Sequence, residues 1–247
     1  MKSKVVLILI LFWLLPSQSF SQEKKPTISG VTIGKKTETD TLITVNSTFL
    51  LLGTLNDYIS HNYVTKGNQF DRYYPHEKTL MRYVDSIAKK DFGIQLKEEK
   101  NCFISEELAS KMNAFYDENT LKKSLFDSKE KKMSFLLGVY LRNGEKINDA
   151  VYKIQLANSP KNENVYEILK QLGCKRIFFK RLDNIPTQYI LYFEATKLIA
   201  NHFKTVDKEV QTLFDAKIES FRSSENLKKA YQEDATKEHA KIIEMFK

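Results

Sequence analysis

The stretch 133–193 constrains the fold most, because apolar periodicity, turn residues and helix-ending residues agree there better than elsewhere in the chain. Its apolar run, 134–142, is followed by Asn143-Gly144, a dipeptide that accepts the two positive φ angles of a type I′ turn. The sequence therefore predicts a β-hairpin that turns at these two residues. The returning strand alternates between two faces, which carry Val151, Lys153 and Gln155, and Tyr152, Ile154 and Leu156.

A helix and two more strands complete this stretch. Asn162 or Asn164 is the predicted N-cap of a helix that ends at Gly173, the residue best suited to a left-handed C-terminal position. Strands are predicted at 176–182 and 187–193, and the turn between them is too short to cross a sheet face, so they should run antiparallel. The predicted fold class is α+β: a central, mostly antiparallel sheet made from the hairpin, the helix and the two further strands, packed with several helices and followed by a charged helical C-terminus.

The chain before this stretch is predicted to be mainly helical. Asn46 or Ser47 begins a helix that should end near His61, Pro75 suits the first turn of the next helix, and Ser105 is a good N-cap for a third. A low-complexity tract and a solenoid-type repeat are both lacking in the sequence.

Residues 1–21 have the pattern of a secretory signal peptide. Two lysines precede an apolar run at 5–15, and small residues at Ser19 and Ser21 favour cleavage before Gln22. A membrane-spanning helix needs roughly 18 to 20 apolar residues, so this run is too short to anchor the chain. The sequence predicts export to the periplasm or secretion as a soluble chain with no transmembrane segment in its mature form. The predicted division is signal peptide 1–21, globular α+β domain 22–204 and amphipathic helical extension 205–247.

Composition bounds the class of protein. Hydrophobic residues make up 42% of the chain and aromatic residues 12%, which favours a folded protein over a disordered one. The net charge of +8 includes the signal-peptide lysines, and this mild excess argues against nucleic acid as a partner. Export would allow Cys102 and Cys174 to form a disulfide, although two thiols in a chain with an adequate core are the simpler alternative.

The sharpest candidate catalytic group consists of Asp57, His61, Asp71 and His76. Asp57 and His61 would share a helix face at i, i+4, where a carboxylate can orient an imidazole for general-base work. Such a pair near a helix end is also an ordinary stabilising contact. His76 lacks the second histidine of a zinc-binding helix, and glycine patterns for phosphate or dinucleotide binding are missing, so neither a metal site nor a cofactor is predicted.

A second candidate site combines basic and aromatic residues on the predicted strands. Its members are Lys175, Arg176, Phe178, Lys180, Arg181 and Tyr189. Such surfaces bind polyanions or stack on flat rings. A strand with phenylalanine toward the core and lysine toward solvent gives the same pattern, and export would favour an anionic glycan or lipid surface over DNA.

The sequence assigns no specific activity. It predicts a non-catalytic interaction or binding protein of the cell envelope or secreted medium, with an exported hydrolase-like enzyme around Asp57, His61, Asp71 and His76 as the alternative. The C-terminal helices, 205–247, would offer their apolar stripe to an envelope protein or to a second copy of the chain.

Overall fold

The computed structural model describes residues 43–56, 67–117, 120–157, 159, 161–183, 185–220 and 224–247. These ranges form helices and antiparallel sheets, which confirms the predicted α+β class. The predicted signal peptide, residues 57–66 with the predicted catalytic residues Asp57 and His61, and residues 221–223 lie outside the described residues.

The first half of the chain builds a small sheet flanked by helices. Its elements are α1 (Ser47–Thr54), β1 (Gln69–Arg72), α2 (Lys78–Phe92), β2 (Lys97–Glu99), β3 (Cys102–Ile104) and α3 (Glu106–Asn113). Strand β3 lies between β1 and β2 and is antiparallel to both. The predicted N-caps are confirmed, because Asn46 accepts a hydrogen bond from the Phe49 amide and Ser105 accepts one from the Leu108 amide.

The second half builds a larger sheet. A short strand pair, β4 (Tyr116–Asp117) and β5 (Thr120–Leu121), and a 3-10 turn lead into it. Its elements are α4 (Lys129–Asn143), β6 (Gly144–Lys146), β7 (Val151–Ala157), α5 (Lys161–Gln171), β8 (Ile177–Leu182), β9 (Gln188–Glu194) and α6 (Lys197–Phe203). The strands are antiparallel in the order β6-β7-β9-β8. The predicted helix α5, its glycine end at Gly173 and the antiparallel β8–β9 pair are confirmed, but the helix begins at Lys161, so neither Asn162 nor Asn164 is its N-cap.

Helix α4 corrects the predicted first strand of the hairpin. The run 134–142 is helical, Ser128 caps the helix by accepting from the Lys131 amide, and Asn143 is its last residue. Gly144 has a φ of −94°, so the predicted type I′ turn at Asn143-Gly144 is wrong. The cause is burial: residues 133–141 are all buried, so the run has no polar face, and an apolar run without a periodic face does not distinguish helix from strand.

Helices α1 and α4 pack in unusually close contact. A Cβ at Gly53 would collide with the backbone oxygen of Phe135, and a Cβ at Gly138 would collide with that of Leu50. The Asn46 amide donates to the Ser134 hydroxyl at 2.8 Å, near the start of α1. The two helices therefore run parallel to each other, and their C-terminal ends lie on the same side of the molecule.

The two halves share one order of elements, which the sequence pattern did not reveal. Helix, strand, helix, strand, strand and helix occur as α1, β1, α2, β2, β3 and α3, and again as α4, β7, α5, β8, β9 and α6, with β6 as an additional strand between α4 and β7 in the second half. The strand order also corresponds, since β1-β3-β2 matches β7-β9-β8. The glycine contact joins equivalent helices of the two halves.

Two helices follow the repeat. Helix α7 (Asp207–Glu219) buries Val210 and Leu213 in the main core, beside α2 and α4. Helix α8 (Glu225–Met245) lies on the outward face of the larger sheet, where Ile242 joins a separate apolar cluster with Val151 and Tyr192. Helices in the described ranges are too short or too polar to cross a membrane. The division at residue 204 stays a prediction.

Candidate ligand-binding cavity

Arg142, near the end of α4, is the centre of a buried ion network. Its side chain is 2% exposed, and its Nη1 donates to the Thr54 carbonyl and to the Asp71 carboxylate, both at 2.7 Å. Nη2 donates to the Arg72 carbonyl at 2.8 Å and to Glu77 at 2.7 Å, and Nε donates to Glu77 at 2.9 Å. All five guanidinium donors are therefore used. The network ties the end of α1, strand β1 and the start of α2 to α4.

This network determines the role of Asp71, one of the predicted catalytic residues. Its side chain is fully buried and neutralises the Arg142 guanidinium, and its other oxygen accepts from the backbone amides of Asn56 and Arg72. Separating a buried carboxylate from its cation is costly, so Asp71 is held as a structural counter-ion. The ring of Tyr73 covers the guanidinium at 4.9 Å, and burial raises the pKa of its hydroxyl.

A cavity of about 350 Å³ lies beside this network, where α1 and α4 end. Part of its wall is apolar and comes from Leu55, Leu141, Leu156, Val210, Leu213 and Phe214. Its polar wall is rich in amides, which are Asn56, Asn143, Gln155 and Gln188. The Gln155 amide donates to the Gln188 side-chain oxygen across the β7–β9 pair.

The carboxylates at the cavity wall are already paired with cations. Glu77 is held by Arg142, and Glu145 lies 3.2 Å from Lys153 and 2.7 Å from the His239 ring. Paired carboxylates of this kind do not act as general bases without breaking a buried ion pair. The wall therefore supplies hydrogen-bonding amides more readily than catalytic acids.

His76, Lys217 and two tyrosines complete the cavity wall. The His76 ring stacks on Tyr74 with centroids 5.6 Å apart and planes 1° apart. Burial lowers the pKa of His76, although neighbouring Glu77 opposes the shift, so the imidazole is neutral at pH 7. The Lys217 ammonium lies 5.7 Å from the Tyr231 ring centroid, in cation–π contact.

Of the predicted catalytic set, the structure brings only His76 to the cavity among the residues that it describes. Asp71 belongs to the Arg142 network, and Asp57 and His61 lie outside the described residues. Convergence of these side chains therefore stays untested. Clusters of three or more potential metal ligands do not occur within the described ranges.

The predicted basic and aromatic site is divided by helix α8. Arg176 donates to the carbonyls of Phe246 and Met245, the latter at 2.7 Å, and Phe178 packs edge-on to Phe246 at 4.8 Å. The Lys180 ammonium lies 3.6 Å from Glu238 on α8. These three side chains therefore face α8.

The other members of that set lie before and on the edge strand β8 and on its neighbour β9. Lys175 is exposed, and Arg181 forms an exposed ion pair with Asp183 at 2.9 Å. Tyr189 stacks on the exposed ring of Phe179 at 6.0 Å. The six residues therefore do not form one continuous surface, and ligand binding there stays a prediction.

The two cysteines lie on different elements and are thiols in the structure. Cys102 is on β3, where its sulfur accepts from the Gln69 amide at 3.3 Å. Burial raises the pKa of its thiol. Cys174 is buried just after α5.

The chain matches no protein-family model and no curated protein. It is similar to solved structures of the homing endonuclease I-DmoI, one of them in complex with DNA and Mn, at 15% identity and a TM-score of 0.41 over 68% of this chain and 97% of that one. It is also similar to full-length WhiA from Thermatoga maritima, at 14% identity and a TM-score of 0.37 over 78% of this chain and 72% of that one.

These neighbours contradict several predictions from the sequence. The predictions of an exported envelope or secreted interaction protein, of an envelope-protein partner and of a chain that binds no nucleic acid find no counterpart in the I-DmoI structures solved with DNA, and they are withdrawn. The periplasmic or secreted location is withdrawn with them. Similarity this low describes the fold alone and transfers no activity to this chain.

Sequence reasoning missed most of the cavity. Asn56, Asn143, Gln155, Gln188, Lys217 and Tyr231 belong to no local motif, and they come from separate elements. Arg142 carried a usable signal, because a single arginine follows directly on the apolar run 135–141. A charge at that position, next to buried positions, predicts a buried partner.

Proposed function

We propose that this protein binds a small nucleoside-type ligand, a flat ring with a hydrogen-bonding edge, in the cavity between α4, α7 and the larger sheet. The observation that supports the proposal is the convergence of four amide side chains and two tyrosines on one cavity of about 350 Å³ with an apolar side.

The chemistry of the wall suits a nucleobase. Each amide places a donor beside an acceptor, and asparagine and glutamine use this pair to contact the edge of a base at two points. Tyrosine rings stack on any base, and the apolar wall shields the ring from water. Tyr74 and Tyr231 supply such rings.

The size and charge of the cavity favour a small molecule that is bound rather than transformed. Ligand cavities range over about 300 to 1,000 Å³, so this one is at the lower end. Glu77 and Glu145 are paired with cations, which leaves neutral His76 as the titratable base among the described residues at the wall.

Titration calorimetry with adenosine, guanosine, cytidine and uridine tests the proposal. We expect at least one nucleoside to bind, and Asn143→Leu to weaken its binding by about tenfold, because a base edge left without its partner loses about 1 to 3 kcal/mol. Asn113→Leu is the matched control, since Asn113 is exposed at the end of α3 and away from the cavity.

Two outcomes would overturn the proposal. One is that none of the four nucleosides binds to the folded full-length chain. The other is that Asn143→Leu and Asn113→Leu bind with the same dissociation constant as the unmodified protein.

A further inference from the structure

We infer that the preferred ligand carries an anionic group, such as a nucleotide phosphate, and that Lys217 binds this group at the cavity wall. The inference rests on the proposed function and adds to it the class of ligand. The inference is based on a comparison of the cationic side chains at the cavity wall, some of which already form ion pairs with carboxylates.

Lys153 and Arg142 are both committed to carboxylates. Lys153 lies 3.2 Å from Glu145 and 2.9 Å from Glu238, and Arg142 uses all its donors in the buried network. A phosphate would have to displace a carboxylate to reach either of them. Neither cation therefore suits an incoming anion.

Lys217 is in a different situation. Within the ranges that the structure describes, no carboxylate lies within ion-pair distance of its ammonium, which is in cation–π contact with the Tyr231 ring. Lys217 lies on α7, where it is exposed to solvent and also lines the cavity. An ammonium with three donors can turn to an anion there without breaking an ion pair.

The surroundings strengthen this assignment. His76 and Lys217 both line the cavity, and the Lys217 charge adds to burial in lowering the pKa of His76. Tyr231 on α8 orients the lysine by cation–π contact. A ring stacked in the cavity would extend its phosphate toward this end, where a charge-assisted hydrogen bond can form.

The test compares each nucleoside with its 5′-monophosphate by calorimetry on the full-length chain. We expect the monophosphate to bind about tenfold more tightly at low salt, the gain of one charge-assisted hydrogen bond, and the advantage to fall as salt rises. In Lys217→Gln the dissociation constants of the nucleoside and of its monophosphate should become equal. Lys208→Gln, an exposed lysine on the same helix and outside the cavity wall, should keep the advantage.

Inorganic phosphate, added as a competitor, tests whether free phosphate binds at the same place as the phosphate group of the nucleotide. It should weaken binding of the monophosphate in the unmodified protein and leave Lys217→Gln unaffected. Equal binding of nucleoside and monophosphate by the unmodified protein, or an unchanged advantage in Lys217→Gln, would overturn this inference and leave the proposed function standing. If neither ligand class binds, the proposed function fails and this inference falls with it.

Discussion

At the scale of single residues, buried charge is concentrated on Arg142, Asp71 and Glu77. The guanidinium of Arg142 joins α4 to three earlier sites in the chain, at Thr54, at Asp71 and Arg72, and at Glu77. Because its two carboxylates are also buried, the network is satisfied only when all three groups are present.

Replacing Arg142 with methionine should lower the free energy of unfolding by about 3 to 5 kcal/mol, because the change leaves two buried carboxylates without a cation. Urea unfolding at pH 7 measures this. Lys131→Met is the control, since Lys131 forms a partly exposed pair with Asp127 and its loss should cost less than about 1 kcal/mol. Similar costs for the two variants would contradict the structural role of the network.

His202 gives the second residue-scale prediction. It is 1% exposed, its ring nitrogens have no hydrogen-bond partner within the described part of the chain, and burial lowers its pKa below the usual 6.5. In the unfolded chain the His202 imidazole therefore binds a proton near pH 6.5, whereas in the folded chain it binds the proton only at lower pH. Below that pH the unfolded state binds more protons, so stability should fall as pH falls, by at most about 1.4 kcal/mol per pH unit for this group.

Urea unfolding from pH 8 to pH 5.5 measures how the free energy of unfolding changes with pH. In His202→Leu this change should be smaller, because the contribution of His202 is absent. His76→Gln provides the comparison, because His76 is only half-buried and its lowered pKa contributes a smaller share. A variant His202→Leu with the full slope of the unmodified protein would show that the buried imidazole does not control the acid response.

At the scale of elements, the glycine contact between α1 and α4 determines how closely the two halves pack. Gly53→Ala and Gly138→Ala should each destabilise the fold by about 1 to 3 kcal/mol, because each new methyl group meets backbone that does not move easily. At an exposed helical site the same change is stabilising by up to about 1 kcal/mol. The sign of the change in the free energy of unfolding therefore distinguishes the close helix contact from an exposed site.

Thermal unfolding of the two variants measures the effect. Gly67→Ala is the control, since a Cβ at Gly67 would meet nothing within 4 Å. Unchanged or raised melting temperatures for Gly53→Ala and Gly138→Ala would show that the helices separate without cost.

At the scale of the whole molecule, helix α8 covers the outward face of the larger sheet through polar contacts and one small apolar cluster. Glu238 pairs with Lys153 at 2.9 Å, and the His239 ring contacts Glu145 at 2.7 Å. Among the α8 residues whose burial the structure describes, Ile242 is the buried apolar one, and it lies with the partly buried Met245 and Phe246 in a cluster separate from the main core. The fold of the two halves therefore depends little on α8.

Removal of residues 225–247 should leave one cooperative unfolding transition with a melting temperature lower by about 5 to 10 °C. Burying one isoleucine side chain is worth about 1.5 to 3 kcal/mol, and 1 kcal/mol shifts the transition by about 2 to 4 °C at this size. Nucleoside binding should weaken, because the truncation removes Tyr231 from the cavity wall. Calorimetry measures both effects, and loss of the transition would show that α8 belongs to the main core.

The sequence by itself determined the elements whose ends are marked by local chemistry. Strands β8 and β9, helix α5 and the caps at Asn46 and Ser105 were predicted because a short turn, a glycine or a capping side chain acts over a few residues. Such signals do not depend on what the element later packs against.

Only the tertiary structure decided helix α4 and the cavity. The run 134–142 is buried on every side, so its pattern lacked the polar face that separates a helix from a strand, and its helical state depends on packing against α1 through Gly53 and Gly138. The cavity collects residues from the segment after α1, from the segment before α2, and from α4, β6, β7, β9, α7 and α8. Their proximity arises from the repeated fold and the two helices added to it, and residues brought together over such distances in sequence leave no local motif to read.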